Sequence, residues 1–140
     1  LVLTAALAGC ASTKIASTPM RSYTIGQTLR APVGGVLLSA QTGQIETIRR
    51  WVGILNSPDG WAVTAQPSLD YVKKELIYSG AVGPTIELGY REYRGGLAAP
   101  AFYQSVKYDL SQSRVVTFQN FQIEVNSADN SEMTGRLLRD

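Results

Sequence analysis

The sequence contains no histidine and a single cysteine. These two shortages exclude a Ser-His-Asp triad, a Cys-His dyad, a histidine-built zinc site and any internal disulfide. Charge is also scarce, since Asp, Glu, Lys and Arg make up 17% of the chain. Thirteen basic residues face eleven acidic ones, a net charge of +2. That balance is too even for a protein that works by wrapping phosphate backbones, and no nucleic-acid partner is expected. Arg49-Arg50 and Lys73-Lys74 are isolated pairs and read as solvated surface. The glycine pairs do not form a phosphate loop, because no Lys-Ser/Thr ending and no following helix accompany them. No metal ligand set and no cofactor motif emerges.

What is present is a moderately apolar chain of 140 residues, 44% hydrophobic. Such a composition argues against wholesale disorder and for a packed core. The body reads as β throughout. Strands are expected at Tyr23–Gly26, Val36–Ser39, Trp61–Ala65, Tyr71–Tyr78, Thr85–Arg94, Phe102–Leu110 and Met133–Leu138. Thr42-Gly43 reads as a turn after the second of these. Ile45–Leu55 is ambiguous: Ile45, Ile48, Val52 and Leu55 have helical spacing, while Thr47, Ile48, Trp51 and Val52 favour a strand, above all in the second half. Asn56-Ser-Pro-Asp-Gly60 is a strong turn signal. Thr85–Arg94 should pair with the preceding strand in a hairpin, with Ile86, Leu88 and Tyr90 on one face. Val116 and Phe118 share one parity, and Phe121, Ile123 and Val125 the other, so a bulge or kink is expected at Gln119-Asn120. Asn126–Ser131 reads as a polar turn. The expected fold is all-β, an antiparallel β-sandwich or small β-barrel of about eight or nine strands.

The N-terminus reads Leu-Val-Leu-Thr-Ala-Ala-Leu-Ala-Gly-Cys. The run is too short to cross a bilayer, which takes roughly 20 apolar residues. It has the form of the end of a signal peptide, whose basic upstream part and initiator methionine are expected to precede Leu1. Leu7, Ala8 and Gly9 before Cys10 resemble the lipobox of bacterial lipoproteins. The resemblance implies signal-peptidase recognition by Leu7, Ala8 and Gly9, cleavage before Cys10, a diacylglycerol on the Cys10 thiol, and acylation of the new amino group. Two or more acyl chains give stable anchoring where one binds reversibly. Residue 11 is alanine, so the aspartate that resembles an inner-membrane retention signal is missing; in a Gram-negative cell this implies the outer membrane, with the domain facing the periplasm. Residues 10–21, rich in Ser, Thr and Ala and without a period, read as the lipidated cysteine and a flexible tether. Residues 1–9 are then the remnant of the signal peptide, and 22–140 a single β domain. A second resemblance, over about residues 75–126, rests on Glu75–Gly80, Tyr90–Tyr93, Ala99–Gln104 and Tyr108–Leu110; it is to uncharacterised bacterial lipoproteins and secreted proteins, and implies an envelope β domain without naming an activity.

Arg91-Glu92-Tyr93-Arg94 is the densest polar cluster. Along a strand Arg91 and Tyr93 share one face, Glu92 and Arg94 the other. The cluster could grip an anionic ligand or a partner carboxylate, or form ion pairs on a solvated sheet face. Tyr90, Tyr93, Phe102, Tyr103 and Tyr108 are strand aromatics that either pack the core or, with Arg91, Glu92 and Arg94, make a recognition surface. Asp59 and Asp70 flank the Trp61 strand and are the only hint of an acid/base pair of the glycosidase kind, but Asp59 before glycine is expected for turn reasons alone. The expectation is a non-enzymatic, membrane-anchored envelope lipoprotein that binds another envelope protein as a scaffold. The alternative is a small β-barrel carrier for a lipid or other apolar ligand.

Overall fold

A computed structural model describes residues 12–95 and 97–140, with side chains left out of account at 97–102. Leu7, Ala8, Gly9 and Cys10 lie outside the described residues. These contain ten strands and no helix: β1 (Ser12–Arg21), β2 (Thr28–Pro32), β3 (Val36–Trp51), β4 (Trp61–Pro67), β5 (Val72–Val82), β6 (Thr85–Arg94), β7 (Leu97–Asp109), β8 (Val115–Phe118), β9 (Phe121–Ala128) and β10 (Glu132–Arg139). Backbone contacts divide the chain into two units where the sequence suggests one domain. One comprises residues 12–20 and Gly43–Ser68, the other Arg21–Thr42 and Leu69–Asp140. Strand β3 contributes to both.

The second unit is a β-sandwich. The first half of β3 pairs with β5, β5 with β6 and β6 with β7, all antiparallel. The other sheet has the order β2-β10-β9-β8. Between them lies a core that includes Leu29, Leu38, Leu76, Tyr78, Ile86, Leu88, Tyr90, Phe118, Phe121, Ile123, Met133 and Leu137. Each strand reaches this core through period-two alternation: β2 buries Leu29 and Ala31 between exposed neighbours, and β9 buries Phe121, Ile123 and Val125. Burying a Leu, Ile or Phe side chain stabilises by about 1.5–3 kcal/mol. These side chains form one buried cluster between the sheets. Ile86, Leu88 and Tyr90 do share the core face of β6.

Several expectations need correction. Tyr23–Gly26 is not a strand. Tyr23 is buried with its hydroxyl donating to Asp140, and the chain turns at Gly26, whose φ of +87° suits glycine and whose N–H donates to the Leu137 carbonyl. The strand starts at Thr28 instead. Thr42-Gly43 is not a turn either; β3 runs through it, held by β5 over Val36–Thr42 and by β4 over Ile45–Trp51. Those ladders also resolve the ambiguous segment as strand up to Trp51. Gln119-Asn120 is a two-residue reversal between β8 and β9, with Phe118 opposite Phe121 and Gln119 at a φ of +51°. The parity change there reflects a hairpin, not a bulge. Ser12–Arg21 forms a strand where a tether is expected. Nearly all its residues are exposed, so no alternation marks it; it lies beside β3 and is tied down by Lys14 Nζ to Glu46 Oε1 at 2.8 Å and Ser17 Oγ to Gln44 Oε1 at 3.0 Å.

Candidate functional site

Strand β6 carries the polar cluster, and its parity splits it in two. Glu92 continues the core-facing series begun by Ile86, Leu88 and Tyr90, and is 8% exposed, the one buried charged side chain among the described residues. A carboxylate there needs partners. The Tyr90 hydroxyl donates to its Oε2 at 2.7 Å and Arg94 Nε to its Oε1 at 2.8 Å. Lys74 sits opposite it on β5 and reaches Gln119 Oε1 at 3.4 Å. The Tyr90 bond first, then Arg94, hold the Glu92 carboxyl below its ordinary range despite burial. Burial first, then the bond to Glu92, push the Tyr90 phenol well up, and a hydrogen bond from Gln119 pulls the other way. This is a closed structural network: its acceptors are used within the fold.

The opposite face of the sheet presents the remaining members. Arg91 is exposed and lies across from Glu75 on β5 and Tyr103 on β7. Tyr103 is 65% exposed. Its ring lies over Gly89, where an added Cβ would come 3.3 Å from the phenol oxygen. Tyr93 is half-buried, with Lys73 Nζ 4.4 Å above its ring and that same ammonium 3.0 Å from Glu75 Oε1. The structure thus brings Arg91, Tyr93 and Tyr103 together on one face and sends Glu92 to the other. Arg94 is exposed but spends its Nε on Glu92. The Phe102 side chain lies outside the described residues. At the far end of the same sheet an open cleft of about 430 Å³ lies among Val33, Ser79, Val82, Thr85, Glu87 and Lys107.

Asp59 and Asp70 fall in different units and are both exposed. Asp59 Oδ1 accepts from Ser57 Oγ at 2.8 Å and from the Trp61 N–H at 3.1 Å, which lowers its pKa and accounts for it as a turn residue. Asp109 and Asp129 do similar work: hydrogen bonds from Ser111, and from the backbone of Glu132 and Ser131, lower their carboxyls. Among the described residues no group of three or more Cys, Asp or Glu side chains converges as metal ligands.

Sequence reasoning missed two features. The first is the Tyr90–Glu92–Lys74–Gln119 network, although parity from Ile86 onward points to it. The second lies in the first unit, at the loop between β3 and β4. Trp51 and Trp61 face each other there edge to face, ring centres 5.2 Å apart, and the Arg49 guanidinium lies 4.4 Å above Trp61. Gly60, at a φ of +77°, lets the Trp51 ring lie on the backbone; a Cβ would fall 2.1 Å from it. The Val52 and Gly53 N–H groups both donate to the Gly60 carbonyl, at 2.8 and 3.1 Å, which closes the loop. Its apex holds Ile54 and Leu55, 71% and 97% exposed. The sequence places a turn at Asn56–Gly60 but reads Ile45–Leu55 as helix or strand, and so misses that the chain leaves β3 at Trp51 and that Ile54 and Leu55 belong to the loop. No family model, no curated protein and no solved structure matches the chain.

Proposed function

We propose that the chain is a lipid-anchored bacterial envelope protein, held by Cys10 in the outer membrane, whose sandwich binds another envelope protein without catalysing a reaction. The observation that carries the partner-binding part is the outer face of β5–β7, where exposed Arg91 and Tyr103 stand side by side and Tyr93 and Lys73 flank them. Tyrosine and arginine are the side chains that concentrate binding energy at protein interfaces. Glu75, which lies across from Arg91 on β5, is engaged by Lys73 Nζ at 3.0 Å. The cluster of buried side chains between the sheets favours contact through this face over carriage of an apolar ligand inside the sandwich. The Cys10 part rests on Leu7, Ala8 and Gly9 before the cysteine.

The test is crosslinking in living cells, with the full-length protein beside Arg91→Glu, Tyr103→Ala and Cys10→Ser variants, and mass spectrometry of what is captured. A discrete envelope protein is expected with the parent chain. Its yield should fall about tenfold or more with Arg91→Glu or Tyr103→Ala, the size of effect a residue at the centre of an interface produces. Cys10→Ser, which removes the lipid, should weaken the capture. A parent chain that purifies alone, or capture indifferent to both face variants, sinks the partner-binding reading. The mass of the Cys10 peptide tests the anchor separately.

A further inference from the structure

The loop between β3 and β4 has no role in the reading above. From its composition and placement we infer that it is a membrane-docking tip, which enters the interface of an anionic lipid bilayer. Four observations converge on a lipid surface. Ile54 and Leu55 stand at the apex of a turn, 71% and 97% exposed. A convex apolar apex suits a deformable partner such as a bilayer. Immediately behind it come Trp51 and Trp61, the chain's two tryptophans, whose amphipathic rings favour the level of lipid headgroups. Arg49 and Arg50 stand at the same depth against a single acid, Asp59, whose oxygen is engaged within the turn. The tip is therefore net positive where it would meet anionic headgroups.

The fourth observation is the position of β1. Ser12 borders one recess together with Ile48, Arg50 and Ala62, and Arg50 pairs with Ala62 one step before Trp51 meets Trp61. The start of β1, two residues after Cys10, thus lies at the tip end of the β3–β4 hairpin. This last point alone rests on the lipid anchor proposed above. An acyl group on Cys10 and the apex of the loop would enter the same leaflet, and the second contact would be favoured by the short distance that the first imposes.

The test uses the Cys10→Ser chain, purified without lipid, so that the tip is measured apart from the anchor. The probes are vesicles of phosphatidylglycerol mixed with phosphatidylcholine, and vesicles of phosphatidylcholine alone. Both tryptophans are at the tip, so their emission reports on it directly. Expected are a blue shift and quenching by brominated acyl chains with the anionic vesicles, weakened by salt. Leu55→Ser and Ile54→Ser should each reduce partitioning on the order of tenfold, the effect of withdrawing one such side chain from hydrocarbon. Both residues are exposed, so folding should be untouched. Unchanged emission with anionic vesicles overturns the inference, as does binding that ignores both serine variants. A photocrosslinker at position 55 that captures protein and never lipid in cells overturns it too. An unmodified Cys10 in cells would remove the anchor and leave the vesicle result standing.

Discussion

At the scale of single residues, Glu92 shows how a strand tolerates a charge on its buried face. Its neighbours supply a phenol and a guanidinium, and Lys74 stands across the ladder. Glu92→Leu should destabilise by about 1–3 kcal/mol, because it leaves the buried Tyr90 O–H without the acceptor it donates to; denaturant unfolding at pH 7 measures it. Glu92→Gln keeps an acceptor and should cost less. The pH dependence follows from the direction of the shift. The folded carboxyl lies below its ordinary value of 4.5, so its contribution is complete above that value and is lost as pH falls further, through the folded pKa. Acid unfolding of Glu92→Gln should therefore begin from a lower stability and be less steep below pH 4.5 than that of the parent. Tyr23 works in the opposite sense. Burial first, then its bond to Asp140, push its phenol up to about 12. It holds its proton while an unfolded tyrosine loses one, and its contribution fades as pH rises from 10 toward 12.

At the scale of elements, β10 meets β9 with a register shift between Thr134 and Gly135. A Cβ on Gly135 would lie 2.5 Å from the Glu124 carbonyl oxygen, and a backbone atom cannot swing aside as a long side chain can. Gly135→Ala should therefore cost about 1–3 kcal/mol, the range for forced overpacking, seen as a lowered thermal midpoint. Which elements the sequence revealed follows from the same physics. Strands with one wet and one dry face, such as β6, β8, β9 and β10, announce themselves by alternation. Strand β1 does not, since both its faces are exposed. In β2 the buried positions alternate, but one of them is the small Ala31 and the strand ends in Pro32, so the pattern is faint. Thr42-Gly43 carries a turn-like composition that two antiparallel ladders override. The candidate site was legible in its membership and in its division, with Arg91 and Tyr93 on one face and Glu92 and Arg94 on the other; the parity that continues from Ile86, Leu88 and Tyr90 and buries Glu92 was not followed past Tyr90.

At the scale of the whole molecule, the buried hydrophobic residues among those described all belong to the second unit. The first is held by strand ladders, the Trp51–Trp61 pair and exposed polar contacts such as Lys14–Glu46. Surface ion pairs of that kind contribute under about 1 kcal/mol. Amide hydrogen exchange should accordingly find β4 and the Ile45–Trp51 part of β3 opening at lower free energy than β9 and β10. Equal protection in both units would contradict this assignment.

The resolved shifts in acidity have a joint consequence. Glu92, Asp59, Asp109 and Asp129 are moved down, and Tyr23, Tyr78, Tyr90, Tyr108 and Lys73 are moved up. The chain has no imidazole between them. None of these groups changes its charge near neutrality, and no imidazole supplies the usual switch there. The field at Arg49 and Arg50 answers to dissolved ions, through a screening length of about 10 Å at 0.1 M salt. For that exposed surface, brine and fresh water would be different worlds.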